Sequence, residues 1–376
     1  MRIKNLIIYY PSFESGGVEK IIKNLIRFFI SKGIKIFLIT SNKQNLKIIK
    51  KNKNLKIILI KNNYYAYLPT RLSSSINSIK YLNHLLKKMN NSDTIVHSMQ
   101  SNFIPIIISK ILNFKVVIRN SEDPIESIKY SENKLFSYII FILRFIFYNF
   151  ADFIVTNSKG SAKSLETFVF NKKKISHIYN PYMTDEMIKK SKIKFKKKNI
   201  VMAAGRLTIQ KNFIFLIDAF KKSSLIKKGY ILNIFGKGYL EKKIKLKIKS
   251  EKLNNSVYLK GWSNDLTNEY KKSKIFVLPS LYEGLGNVLI EAINYGAISV
   301  ATNCKSGPTE ILMNGKGGAI VPINDTKFLA KTLDNIIIKN RFAQRKLNIA
   351  KKNLKRFNYK SQSQKYLNLL NDVLIK

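Results

Sequence analysis

Short runs of Ile, Val, Leu and Phe alternate along this chain with stretches whose apolar residues return at helical period. A continuous apolar run suits a strand buried on both faces and the helical period suits an amphipathic helix, so the alternation predicts parallel sheets covered by helices. In the first half, residues 5–10, 34–40, 55–60, 94–97, 116–119 and 153–155 predict strands, and 18–31, 74–89, 104–112 and 134–150 predict helices. A polar, lysine-rich stretch after Asn180 and Pro181, reaching Lys198, reads as a connection between domains. The pattern then restarts. Strands are predicted at 199–204, 231–235, 257–259, 275–278, 298–301 and 318–321, with helices at 212–221, 239–249, 287–295 and 326–339. A final helix at 359–376 is placed to pack back across the junction.

A chain of 376 residues, 45% of them apolar, is too long for one ordinary core and apolar enough to build two. The expected domains are 1–182 and 198–358. The amino-terminal apolar run ends in Tyr9, Tyr10 and Pro11 without a small-residue cleavage site, and reads as a first strand rather than a leader. The longest apolar stretch, 135–150, is interrupted by Arg144 and Asn149 and falls short of the roughly 20 residues a spanning helix needs. It reads as a buried or an interfacial helix.

In open parallel sheets, ligands gather at the carboxyl ends of strands, so the segments that follow the strands carry the candidate chemistry. The most informative is PSLYEGLGNVLIEAINYGAISVATNCKSGPTEIL, Pro279 to Leu312. A strand runs into a turn bearing Glu283, Gly284 and Gly286 free the backbone, and a helix follows with Glu291 on its second turn. Glycines at a helix start let N–H groups approach an anion, and the helix dipole favours a phosphate there. The two carboxylates are spaced to touch different parts of an elongated ligand. Taken alone, the pair fits equally a Glu283 that caps the helix and a solvated Glu291.

In AAGRLTIQKN, 203–212, Gly205 turns the chain at a strand end, and Arg206 and Lys211 stand before a helix that begins near Asn212. Two fixed cations there suit a diphosphate leaving group. Taken alone, they fit solvent-facing side chains as well. Gly16 and Gly17, after the first strand, are a weaker signal because glycine pairs are common in turns. Gly236, Lys237 and Gly238 lack the third glycine of a dinucleotide fingerprint. The sequence has no Walker-type phosphate loop, no Asp-x-Asp pair for a divalent metal and no Gly-x-Ser-x-Gly turn. The single cysteine, Cys304, allows no internal disulfide and no zinc cluster.

A net charge of +46, from 68 Lys and Arg against 22 Asp and Glu, ordinarily points to nucleic acid or an anionic membrane. Here Lys, Ile and Asn are abundant together and share A/T-rich codons, and the basic residues are spread along the chain. The charge fits compositional bias or attraction to acidic lipid headgroups, and nucleic acid is not the expected partner. The aromatic segment at Tyr64 to Tyr67, among scattered lysines, is the expected membrane-contacting part.

In order along the chain, GGVEK, NSKGSAKSL, YNP, GRLTIQKN, FGKGYLEKKI, YLKGW, SLYEGLGNVLIEA and SGPTEIL resemble the motifs of the retaining GT-B glycosyltransferases of family four. The resemblance is greatest to the branch that builds bacterial surface polysaccharides, lipooligosaccharides and lipid-linked oligosaccharides. It spans nearly the whole chain and is strongest from Ile200 to Leu312. It implies an α/β GT-B fold, two Rossmann-like domains facing each other across a cleft, with the acceptor on the first and the nucleotide sugar on the second. It implies that Arg206 and Lys211 bind the diphosphate, that Glu283 contacts the donor sugar and that Glu291 holds the ribose. Gly286, Asn287 and Val288 would supply N–H groups near the phosphates, Gly205 joins this donor set, and Gly16 and Gly17 would meet the diphosphate from the other domain.

Many members carry a histidine after the strand that here reads KVVIRNSEDP; this chain offers Arg119, Asn120 and Glu122 on the acceptor side. His97, on the preceding strand end, fits a packing role as well as an acceptor role. The implied reaction is front-face substitution, the leaving phosphate taking the proton of the attacking hydroxyl. It needs no protein nucleophile, no cofactor beyond a nucleotide-diphosphate sugar co-substrate and no metal. The expected donor is a UDP-linked hexose or N-acetylhexosamine, and the expected acceptor a growing glycan or lipid-linked glycan. The expected place is the cytoplasm, peripherally at the inner face of the membrane. Two alternatives remain: a sugar-nucleotide epimerase on the same fold, marked by donor turnover without acceptor, and a non-enzymatic basic binding protein, marked by steeply salt-sensitive binding without turnover.

Overall fold

The computed structural model describes residues 3–11, 17–41, 52–61, 70–193 and 195–376. The chain divides into two compact units, residues 1–182 with 357–376, and residues 183–356.

In the first unit, β1 (Asn5–Tyr9), β2 (Lys35–Thr40), β3 (Leu55–Leu59), β4 (Thr94–Ser98), β5 (Lys115–Asn120), β6 (Phe153–Thr156) and β7 (Ile175–His177) form a parallel sheet in the order β3-β2-β1-β4-β5-β6-β7. Ile7 of β1 sits in register with Phe37 of β2 and Val96 of β4. All five residues of β4 are buried, as the continuous apolar run implies for a strand covered on both faces. The helix Gly17–Ser31 contributes Ile21, Ile22, Leu25, Ile26, Phe28 and Phe29 to the interior. The last helix, Tyr359–Ile375, packs on that helix and on β4 and β5. The point where the chain leaves and re-enters this unit is tied by Tyr182 N–H donating to Phe357 O at 3.2 Å and by Asn24 Nδ2 donating to Pro181 O at 2.7 Å.

Among the described residues, β7, the helices Pro124–Lys129 and Lys159–Leu165 and the 3-10 turn Lys172–Lys174 stand outside the sequence expectation. The two α-helices are short, but each is capped. Asp123 accepts from the N–H groups of Ile125 and Glu126, and Ser158 from that of Ser161. The helix Lys134–Phe147, expected as buried or interfacial, has no buried residue, which removes the buried reading. Phe141 and Phe147 lie partly against the core, while Leu135, Phe136, Tyr138, Ile139, Ile142, Phe145 and Ile146 are exposed. Among the described residues no helix is long and apolar enough to cross a membrane. The aromatic segment Tyr64 to Tyr67 lies outside the described residues.

The second unit repeats the plan with β8 (Lys198–Ala204), β9 (Ile231–Phe235), β10 (Val257–Leu259), β11 (Ser273–Leu278), β12 (Ile298–Thr302) and β13 (Ala319–Val321), parallel in the order β10-β9-β8-β11-β12-β13. The lysine-rich stretch read as a connection holds a helix, Asp185–Ser191. Thr184 caps it by accepting from Met187 N–H, its first turn carries Asp185 and Glu186, and its last carries Lys189 and Lys190, the charge order that suits the helix dipole. Asn294 Nδ2 holds it to this unit by donating to Met187 O at 3.1 Å. Lys197, near the end of the same stretch, donates to the carbonyls of Ser273 (2.9 Å), Tyr270 (3.3 Å) and Tyr295 (3.4 Å). Burial, with Lys351 nearby, pushes its ammonium down to about 8.

Candidate functional site

In the second unit the connection from β8 runs to one side of the sheet and that from β11 to the other, so these neighbours form the switch point where such sheets bind ligands. After β8, Gly205 N–H donates to Phe235 O and Leu207 N–H to Lys237 O, each at 2.9 Å, laying this loop along the one that follows β9. The approach leaves no room for a side chain: a Cβ on Gly236 would stand 1.8 Å from Gly205 O. The Gly236 and Gly238 pair is thus explained by backbone contact rather than by a dinucleotide fingerprint. A short 3-10 turn, Ile209–Lys211, leads to Asn212 in the left-handed region and to the helix Phe213–Lys222.

This path brings Lys211 back across Gly205, where a Cβ would lie 3.1 Å from two of the lysine's methylene carbons. Lys211 Nζ pairs with Glu283 Oε1, on the loop after β11, and the two side chains are only 12% and 8% exposed. Ser280 Oγ donates to the same carboxylate oxygen at 2.6 Å, and Ser306 Oγ donates to Glu283 O at 2.6 Å. Gln210 stitches the two loops, accepting from Leu281 N–H at 2.8 Å and donating from Nε2 to Tyr282 O at 3.1 Å. Arg206 is exposed and donates to Gln210 Oε1 at 3.3 Å; among the described residues no carboxylate pairs with it. The two cations of the motif therefore differ: the charge of Lys211 is already opposed, that of Arg206 is not.

Gly286, φ 89° and ψ 59°, takes a left-handed conformation that side chains adopt at a cost, and it starts the helix Asn287–Asn294. Its N-cap residue, being glycine, brings no side chain to cap it. Glu283, which fits a cap when the sequence is taken alone, turns its carboxylate to Lys211 and Ser280 instead. Asn287 and Val288 form the first turn, and Glu291, 7% exposed, is not a solvated residue. A carboxylate held by a serine and a lysine, an exposed arginine and a helix start at a glycine thus surround the ends of β8 and β11. Such a set can neutralise a diphosphate and accept hydrogen bonds from hydroxyl groups. Ser280, Ser306 and Gln210 were not singled out in the sequence, although Ser280 lies on the same turn as Glu283 and Ser306 within SGPTEIL.

In the first unit, Gly17 opens the helix Gly17–Ser31, while Gly16 lies outside the described residues. Arg119 is 2% exposed and donates from Nη1 to Ser121 Oγ (2.8 Å) and from Nη2 to Asn180 Oδ1 (2.7 Å). Asn120, also buried, donates from Nδ2 to Glu122 O, and the Glu122 carboxylate pairs with Arg144 at 2.7 Å. His97 is fully buried, with Nδ1 against Val117 O at 3.1 Å and its ring 5.5 Å from that of Tyr366. Burial first, with the Arg119 charge adding to it, lowers the imidazole to about 4, against a favourable bond to Val117. A histidine held neutral in the fold but free to protonate when unfolded makes stability fall as pH drops from about 6.5 to about 4. We expect His97→Leu to flatten that acid limb in denaturant titrations; an unchanged pH slope would show that other groups set it.

Two family profiles cover most of the chain: Glycosyltransferase Family 4 over residues 15–186, and Glycosyl transferases group 1 over residues 184–356. The chain belongs to the family 4 GT-B glycosyltransferases. An uncharacterized glycosyltransferase of Methanocaldococcus jannaschii is 34% identical over 58% of this chain and 57% of its own length. The Campylobacter jejuni N-acetylgalactosamine-N,N'-diacetylbacillosaminyl-diphospho-undecaprenol 4-alpha-N-acetylgalactosaminyltransferase is 29% identical over 65% of this chain and 66% of its own. The chain thus spans less than two thirds of the length of these curated relatives. Among solved structures, that of Anabaena HepE in complex with UDP-glucose superposes with a TM-score of 0.76 at 16% identity, over 98% of this chain and 99% of that one. At that identity the likeness concerns the fold.

Proposed function

We propose that this protein is a retaining glycosyltransferase that moves a hexose or N-acetylhexosamine from a UDP-linked donor to a glycan or lipid-linked acceptor in the assembly of bacterial cell-surface polysaccharide or lipooligosaccharide. The observation that carries the reading is the Lys211–Glu283 pair at the switch point of β8 and β11, beside exposed Arg206 and the helix that starts at Gly286. The undecaprenol-linked substrate in the name of the C. jejuni relative supports the acceptor class, and the UDP-glucose held by HepE supports the donor class.

In this reading the diphosphate lies against Arg206, Lys211 and the N–H groups of Gly286, Asn287 and Val288. Glu283 accepts from a hydroxyl of the donor sugar, and Glu291 accepts from the ribose. As the glycosidic bond breaks, negative charge grows on the leaving phosphate, and fixed cations and N–H groups stabilise it more in the transition state than before. The leaving phosphate takes the proton of the attacking hydroxyl on the same face, so the anomeric configuration is kept. The protein works at the anionic inner face of the membrane, where a lipid-linked acceptor resides.

The reading is tested by incubating the purified protein with a panel of nucleotide sugars and membrane lipid extract, following nucleotide release and the anomeric proton of the product. Release that requires acceptor, with a product of the donor's own configuration, supports it; release without acceptor, or inversion, overturns it. Because the assigned charge stabilisation comes from side chains and N–H groups, turnover should survive excess chelator. Complete loss, restored by magnesium or manganese, would show that the cations named here are insufficient.

A further inference from the structure

The helix Lys134–Phe147 is a surface helix without a polar outer face. A surface helix ordinarily turns polar residues to water and apolar ones inward. Here Phe141 and Phe147 face the core, yet Leu135, Tyr138, Ile139, Ile142, Phe145 and Ile146 recur at helical spacing and are 40–74% exposed. The patch extends beyond the helix, since the Phe145 ring stands edge-on to that of Phe170, itself 75% exposed, at 5.4 Å. Contiguous apolar surface of this kind marks an interaction site.

Charge indicates which partner fits. Exposed Lys172 and Lys173 follow Phe170 almost directly, and exposed Lys129 and Lys134 stand at the other end of the helix. Residues 129–174 carry eight Lys or Arg against three Asp or Glu. Two copies of this face pressed together would oppose these lysines to one another on a chain of net charge +46. An anionic bilayer complements both parts of the surface. Fourteen residues make a helix about 21 Å long, too short to span the hydrocarbon core but suited to lying in its interface.

We infer that the outward face of the helix Lys134–Phe147, with Phe170, is the surface by which this protein rests on an anionic lipid bilayer, its apolar side chains entering the headgroup boundary and Lys129, Lys134, Lys172 and Lys173 meeting the phosphates. The inference rests on the lipid-linked acceptor proposed above, which would be presented in that plane.

Flotation with phosphatidylcholine vesicles, with and without phosphatidylglycerol, at low and high salt, tests it. Wild-type protein is expected to float with phosphatidylglycerol vesicles at low salt and to be partly released by high salt. The Ile142→Glu/Phe170→Glu variant should lose partitioning by at least about tenfold, since two large apolar side chains no longer enter the lipid. Lys172→Glu/Lys173→Glu should lose the phosphatidylglycerol dependence. Trp262→Glu, at an exposed position of the second unit, should float like wild type. Circular dichroism checks folding, and turnover on a detergent-dispersed acceptor should persist in the Ile142→Glu/Phe170→Glu variant, which separates docking from chemistry. Unchanged flotation of that variant, or equal loss in Trp262→Glu, overturns the assignment. So does a wild-type dimer that ignores vesicles and dissociates on Ile142→Glu, which would make the face a contact between copies of this chain.

Discussion

Glu283→Ala is expected to lower turnover by at least about tenfold, equivalent to about 1.4 kcal/mol of lost transition-state stabilisation, with a smaller change in apparent donor binding. Two effects add. The substitution removes the proposed acceptor of the donor's hydroxyl, and it strands Lys211, whose side chain is 12% exposed, without its counter-charge. Glu283→Gln separates the two, because it preserves a side-chain oxygen for Ser280 but not the ion pair. A cycle with Lys211→Ala then measures their coupling: since the two side chains touch, the double variant should lose less than the sum of the singles. Steady-state kinetics with each variant, after a folding check, decide it. Near wild-type turnover in both Glu283→Ala and Glu283→Gln would remove that carboxylate from the reacting centre.

Arg206→Ala should match Glu283→Ala in lowering turnover about tenfold or more, by the loss of a cation facing the leaving diphosphate. It should do so with little change in stability, within about 0.5 kcal/mol, because the side chain is exposed and, among the described residues, held by Gln210 through a single hydrogen bond. Glu291→Ala should behave in the opposite way. A ribose contact is equally strong before and during bond breaking, so its loss raises the donor Michaelis constant and changes turnover modestly. If Arg206→Ala raises only the Michaelis constant, the arginine binds the donor without assisting departure, and the charge assignment moves to Lys211 and the helix start.

The fold could be read in the sequence where apolar runs are continuous and bounded by turns. Strands β9 and β10 lie where the pattern puts them, and the restart near residue 199 coincides with β8. The pattern fails for elements that bury little. The helix Asn340–Asn353 buries Ala343, Leu347 and Ala350 among many basic and amide side chains, too thin a stripe to stand out. The helix Asp185–Ser191 buries no residue, so its lysine-rich sequence reads as a connection although Thr184 and the order of its charges suit a helix. At the candidate site, the residue types near each strand end could be read but their contacts could not. The Lys211–Glu283 pair joins loops 72 positions apart and depends on Gly205 yielding space to the lysine's methylenes. The contrast between an opposed Lys211 and an unopposed Arg206 exists only once those loops are folded together.

The return of the chain into its first unit has a consequence for the order in which the protein is made. Residues 183–356 form an uninterrupted unit and can complete their packing as they emerge from the ribosome. The earlier unit cannot, because the helix Tyr359–Ile375, which covers β4 and β5 and supplies buried Tyr366 and Leu370, is translated only after all of the other unit. A nascent chain released at residue 356 would therefore leave the ring of His97 and the backs of β4 and β5 open to solvent. Such a truncation is an unfinished object with an apolar scar, ready for a chaperone or a protease, however well its later half has folded.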